Sequence, residues 1–307
     1  MAEQDVAHRS NRFRDASGRL RLGWRLASGT LSVVVGLVLA QAAGQLAVRL
    51  LGDPGHLTVQ AVQAVVMSAV VLPWICLLRL RGDRRSLAGI GFALPLRSAG
   101  FFLLGLGLPA SIVLVPLAAL ALGGAATVTV NASTAVLGAV LAWLLVALLL
   151  EALPEEIALR GYLFRTLNAV LARWLAALAS IGLFVLVPIL LALLGFLPGV
   201  PSDAFAGGGG LGVDQLVLIA AFGAVLVYLR VVTGSVWTCV GFHLGFLQIG
   251  RGTWVGAEDT ALFQIHDADT TGVDLGFQLA ALAVFALMLA YPWLARRRPG
   301  WRERAPE

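Results

Sequence analysis

The sequence predicts an all-α, polytopic integral membrane bundle of about eight transmembrane helices, and three observations lead there. Of its 307 residues 59% are hydrophobic and only 13% charged, with a mean hydropathy of +0.89, far beyond what a soluble core requires. Uncharged apolar runs recur at close to the length of a bilayer crossing. Arginine concentrates in the segments between alternate runs.

A helix needs about 20 apolar residues to cross the hydrocarbon, and the uncharged runs 29–48, 58–78, 98–123, 132–150 and 174–197 supply that length. The runs 215–229, 235–250 and 275–295 complete the set; the second of these is short and contains His243. The chain divides into a polar N-terminal tail (1–27), a membrane domain (28–295) and a polar C-terminal tail (296–307), with about the first 20 residues and the tail from Arg296 expected to be disordered. The first apolar run is too long for a secretory signal core and lacks a small-residue cleavage site, so it is expected to stay as an anchor.

Short loops rich in basic residues stay in the cytoplasm, and here every basic residue is arginine. Arg9, Arg12, Arg14, Arg19, Arg21 and Arg25 precede the first run; Arg79, Arg81, Arg84, Arg85 and Arg97 separate the second from the third; Arg296, Arg297, Arg298, Arg302 and Arg304 follow the last. The loops 49–57, 124–131, 198–214 and 251–274 carry little arginine or set it against acids. The expected topology is a multi-pass protein of a plasma (inner) membrane with both termini cytoplasmic. Arginine-only usage with abundant Ala, Gly and Leu points to a GC-rich bacterial source.

The net charge of +5 fits anionic headgroups rather than nucleic acid, because the arginines are dispersed at membrane edges without interleaved aromatics. Membrane lipid is the expected partner. Cys76 and Cys239 both fall inside spans, which leaves no disulfide framework and no cysteine metal cluster. No cofactor and no metal are expected, since a zinc site usually needs three protein ligands. A small transporter would carry charges along several helices and often internal repeats; neither is present in the sequence.

Ionisable residues at membrane depth are costly and therefore functional candidates. The densest group is Glu151-Ala152-Leu153-Pro154-Glu155-Glu156-Ile157-Ala158-Leu159-Arg160, expected at the cytoplasmic end of the fourth span and leading into an amphipathic helix through Arg165 and Arg173. Two readings stand side by side. Pro154 suits a first helical position, which would put Glu155 and Glu156 in the first turn, where the dipole favours anions, with Arg160 completing an i,i+4 pair. Alternatively, a carboxylate at a partly dry boundary serves as a general base toward water. The second candidate, His243, lies beside Gly241 and Gly245, a small-xxx-small face suited to close helix packing. It is either a packing histidine or a partner of the glutamates.

Glu155-Glu156-Ile157-Ala158-Leu159-Arg160, continuing Gly161-Tyr162-Leu163-Phe164, resembles the EExxxR signature of the CAAX protease and bacteriocin-processing (CPBP, or Abi) family of intramembrane proteases. Tyr228-Leu229-Arg230-Val231-Val232-Thr233-Gly234-Ser235-Val236-Trp237, followed by His243, is similar to that family's approach to its last motif. The resemblance covers about 130–250. It implies a helical bundle cutting a peptide bond near the cytoplasmic face, with a membrane-associated peptide or protein as substrate. Carried over, Glu155 is the base, Glu156 and Arg160 support it, and His243 is an oxyanion donor. Two positions depart from the pattern. Pro188 stands where the FxxxH motif beginning at Phe184 would end, and Leu247 stands where HxxxN would place asparagine; neither side chain moves a proton or donates a hydrogen bond. Gln248 is one residue beyond, about 100° around the helix. The implied function is a CAAX-protease-like endopeptidase of weak or lost activity, the alternative being a non-catalytic membrane scaffold or binding protein.

Overall fold

The computed structural model describes residues 20–91, 96–195, 211–255, 261–266, 270–294, 296 and 300–305. Eight helices account for most of them: α1 (Leu22–Leu51), α2 (His56–Leu77, running on to Gly82), α3 (Leu96–Leu122), α4 (Thr134–Val170), α5 (Arg173–Leu194), α6 (Val213–Thr233), α7 (Val236–Gly250) and α8 (Thr270–Leu294). Seven are long and apolar enough to cross a membrane. Leucines such as Leu103, Leu141 and Leu282 are more than half exposed on the outer faces, as lipid-facing side chains are, so the chain is a multi-pass membrane protein.

The eighth helix, α7, has only 15 residues, about 22 Å at the helical rise. It can be short because it faces protein rather than lipid: ten of its residues are buried. It packs along α3 in the same direction, and glycine sets the distance. A Cβ at Gly241 would lie 2.1 Å from the Phe102 carbonyl oxygen, and one at Gly105 would lie 2.1 Å from that of Thr238. The close-packing face expected at Gly241 and Gly245 is real, with Gly245 against Pro109.

The arginine-bearing segments gather at one end of the bundle. Leu20 N–H bonds the Gly82 carbonyl, which brings the start of α1 to the segment after α2. Asp83, fully buried, accepts a hydrogen bond from Arg25 Nη2 (3.0 Å to Oδ2) and one from the Tyr162 hydroxyl at 3.3 Å, while Arg25 Nε stands 2.8 Å from Oδ1 in the same ion pair and Arg79 lies 3.5 Å away. Arg25 Nη2 also reaches Thr166. This network pins α1, α2 and α4 together. Removing one partner of a buried ion pair strands the others, so Asp83→Ala is expected to destabilise the protein by about 3–5 kcal/mol. Chemical unfolding in mixed micelles checks this, and a loss below 1 kcal/mol would show that the network contributes nothing.

At the opposite end, β1 (Thr127–Val130) pairs antiparallel with β2 (Phe263–His266), inside loops where the sequence analysis expected no strand. The C-terminal tail also departs from expectation. Instead of being disordered, residues 300–305 dock: Arg173 N–H bonds the Glu303 carbonyl, Trp174 N–H that of Trp301, and Ala305 N–H that of Asn168, while Trp301 stacks on Tyr228. The first N–H groups of a helix have no intrahelical acceptor, and the tail supplies two for α5. The N-terminal tail to Arg19, residues 196–210 with Gly207 to Gly210, Glu258, Asp259, Asp267, Asp269, Arg297 and Arg298 lie outside the described residues.

Candidate active site

The Glu151–Arg160 segment does not begin a helix. α4 runs unbroken for 37 residues, with backbone angles at Ala147, Ala152, Glu156 and Leu163 all in the right-handed helical range. The N-terminal capping reading therefore fails: Pro154 lies mid-helix, and Glu155 and Glu156 face no free helix end. The chain accommodates Pro154 by widening, with π-helical turns over Leu148–Ala152 and Ile157–Leu163. Local adjustments of this kind re-satisfy a backbone that proline interrupts, and π turns often mark functional sites. The helix break comes later, at Leu171 and Ala172, and Arg173 opens α5.

The widening also frees a carbonyl. Phe164 N–H bonds the Leu159 carbonyl, five residues back, and the Arg160 carbonyl instead accepts from Arg230 Nε at 3.2 Å.

Glu156 is fully buried, and its Oε1 takes Arg160 Nη1 at 3.1 Å and His243 Nδ1 at 3.0 Å. The i,i+4 pair expected from sequence exists, in the interior and not on a surface. A carboxylate only accepts, so His243 is assigned as presenting Nδ1–H, which leaves Nε2 toward the rest of the site. Glu156 Oε2 and Arg160 Nε and Nη2 are buried without a hydrogen-bond partner, and such groups are suited to holding a water or a peptide group. Glu155 is half-buried and has no side-chain hydrogen bond among the described residues, yet it lies within electrostatic reach of His243, Glu151, Glu156 and Arg160.

Aromatic rings keep the cluster dry. Arg160 Cζ lies 4.3 Å from the centre of the Phe184 ring, a desolvated cation–π contact worth about 2 kcal/mol. The Phe222 ring meets His243 edge-on at 4.9 Å and approaches Phe246 at 4.5 Å. Phe222 was not singled out from the sequence, since an aromatic in an apolar run carries no signal of its partner. Glu151 goes elsewhere, pairing with Arg251, whose guanidinium sits 5.9 Å from the Trp143 ring.

The two departing positions fall on the faces that bear these groups. Pro188 is one turn beyond Phe184 on α5, and Leu247 one turn beyond His243 on α7, packed with Ala147, Ala152 and Leu244. Gln248 does not substitute for asparagine: its amide nitrogen reaches the Trp143 carbonyl at 3.5 Å, and its oxygen accepts from Thr253 at 2.8 Å. Among the described residues no three His, Cys, Asp or Glu side chains converge on a point that could hold a metal ion.

No curated protein and no solved structure matches the chain. Residues 137–247 match the sequence model of the Rce1-like family, type II CAAX prenyl endopeptidases. That stretch runs from α4 to α7 and contains Glu155, Glu156, Arg160, Pro188, His243 and Leu247. Over this core the chain is similar to the Rce1-like, CAAX-protease family of membrane proteins, in agreement with the resemblance carried by its EExxxR segment.

Proposed function

We propose that the chain is an intramembrane endopeptidase of the CAAX type whose hydrolytic step is crippled, and that it engages a membrane-associated peptide at the Glu156–His243 cluster. The observation carrying this reading is that Glu156, Arg160 and His243, the last 87 residues away from Glu156, meet at 3.0–3.1 Å in the bundle interior. Glu155 is the general base: it alone of the two carboxylates is uncommitted. Glu156 holds Arg160 and orients the His243 ring, and His243, with Nδ1 tied to Glu156, uses Nε2–H in its imidazolium form to stabilise a developing oxyanion. What is missing is a second proton-handling group at Pro188 and a second oxyanion donor at Leu247. The arginine-rich end of the bundle is the cytoplasmic end, with both termini there, by the asymmetry of basic residues.

Losing one oxyanion donor typically costs about 100- to 1000-fold in rate, and losing a proton-transfer partner about 100- to 10,000-fold. The purified protein in lipid nanodiscs is therefore expected to bind a prenylated CAAX peptide and release almost no cleaved tripeptide, as read by fluorescence polarisation and mass spectrometry. Robust turnover abolished by Glu155→Ala would overturn the crippled-site reading and leave an active protease with an altered site. Absence of both binding and turnover would remove the peptide reading altogether.

A further inference from the structure

At the arginine-rich end lies a cavity of about 540 Å³ that the endopeptidase reading does not use. Four arginines line it, Arg97, Arg165, Arg173 and Arg230, and among the described residues no acidic one does. They come from four helices: the start of α3, the end of α4, the start of α5 and the end of α6. Arg230 lies within electrostatic reach of both Arg165 and Arg173, so these charges repel.

Among the described residues, three of them have neutral partners only. Arg97 stacks over Phe101 at 5.5 Å, Arg173 Nε reaches the Asn168 amide oxygen at 3.4 Å, and Arg230 bonds the Arg160 and Gly234 carbonyls. Glu303, on the docked tail, contributes a backbone carbonyl to Arg173, while its carboxylate lies back over Gly300. Like charges gathered at a partly desolvated site repel one another unless an anion sits among them. Guanidinium groups fork onto phosphate oxygens two at a time, and basic pockets between transmembrane helix ends suit phosphate headgroups.

We infer that this cavity is a phosphate-binding site, built from Arg97, Arg165, Arg173 and Arg230 and separate from the Glu156–His243 cluster. The phosphate comes either from an anionic phospholipid seated at the bundle end or from free phosphate.

The test uses the full-length protein, delipidated and returned to phosphatidylcholine nanodiscs. One arm adds phosphatidylglycerol to the nanodisc and measures retained lipid by native mass spectrometry; the other titrates inorganic phosphate and follows thermal stability. Arg97→Glu is the first variant, because Arg97 is exposed and its loss leaves the fold intact; Arg97→Gln with Arg173→Gln is the second. Either source is expected to bind, and each variant to weaken it by about 10- to 100-fold. Arg49→Gln, at the other end of α1, is expected to leave binding unchanged. Retention of phosphatidylglycerol alone assigns the lipid source, and a response to inorganic phosphate alone assigns the free one. Binding that falls equally in Arg49→Gln would reduce the effect to net charge and overturn the site. So would response to neither probe, or occupancy only by a peptide with a free C-terminal carboxylate.

Discussion

Joint substitution of Pro188→His and Leu247→Asn is expected to raise cleavage of a CAAX peptide by about 100- to 10,000-fold over the unmodified chain. The geometry favours both positions. Phe184 fixes the rotation of α5 by stacking on Arg160 at 4.3 Å, and residue 188 is one turn further along the same face of that helix. On α7, residue 247 stands one turn from His243, so an asparagine amide there would point along the line of the His243 ring as a second oxyanion donor. The groups act as a unit, and single restorations of such units recover little; each single variant is expected to stay within about 10-fold of the parent. Asparagine in the apolar surroundings of Ala147 and Leu244 costs about 1–3 kcal/mol if it finds no partner. A stability assay on the same preparation therefore accompanies the rate. A folded double variant that binds peptide but cleaves no faster would mean that the backbone at these positions no longer presents catalytic geometry. The endopeptidase reading would then give way to a binding role.

What the sequence disclosed follows from how far apart the deciding groups are. Spans were legible because lipid imposes a length and a composition on each segment separately, and the Glu156–Arg160 pair because four residues is one helical turn. His243 could be joined to Glu156 only through family resemblance, since no local pattern bridges 87 residues. Arg25 was counted with the topology arginines and turns out to be buried against Asp83, 58 residues away; charge alone does not tell a headgroup contact from an internal clamp. The break expected at Pro154 rested on a local preference that holds in water, whereas a membrane helix keeps its hydrogen bonds by widening its turn. The tail was misjudged for a related reason: its polarity suggested disorder, but the first N–H groups of α5 needed acceptors, and Trp301 and Glu303 provide them.

Gly241→Leu is expected to disrupt the bundle more than any change in the site itself. A Cβ at residue 241 would stand 2.1 Å from the Phe102 carbonyl oxygen and 2.8 Å from the Leu106 nitrogen. Both are backbone atoms of a helix, which cannot turn aside as a side chain can, so α3 and α7 must move apart. The glycine on the other helix gives no relief, because Gly105 makes the reciprocal contact with Thr238 and Phe242. Separation would loosen the aliphatic packing of Val240 and Leu244 against Phe102 and Leu106 and carry His243 off Glu156, stranding a buried carboxylate and Arg160. Overpacking that meets only side chains costs about 1–3 kcal/mol, and stranding a buried ion pair adds about 3–5 kcal/mol. Together these correspond to a fall in Tm of about 10 °C or more for a chain of this size. Gly138→Leu is the matched control, since a Cβ at Gly138 meets nothing within 4 Å and leucine there projects from the outer face of α4. Tryptophan fluorescence melts of the three proteins in the same detergent decide the matter: a Gly241→Leu variant melting with the parent and with Gly138→Leu would mean that the α3–α7 crossing is looser than its glycines indicate.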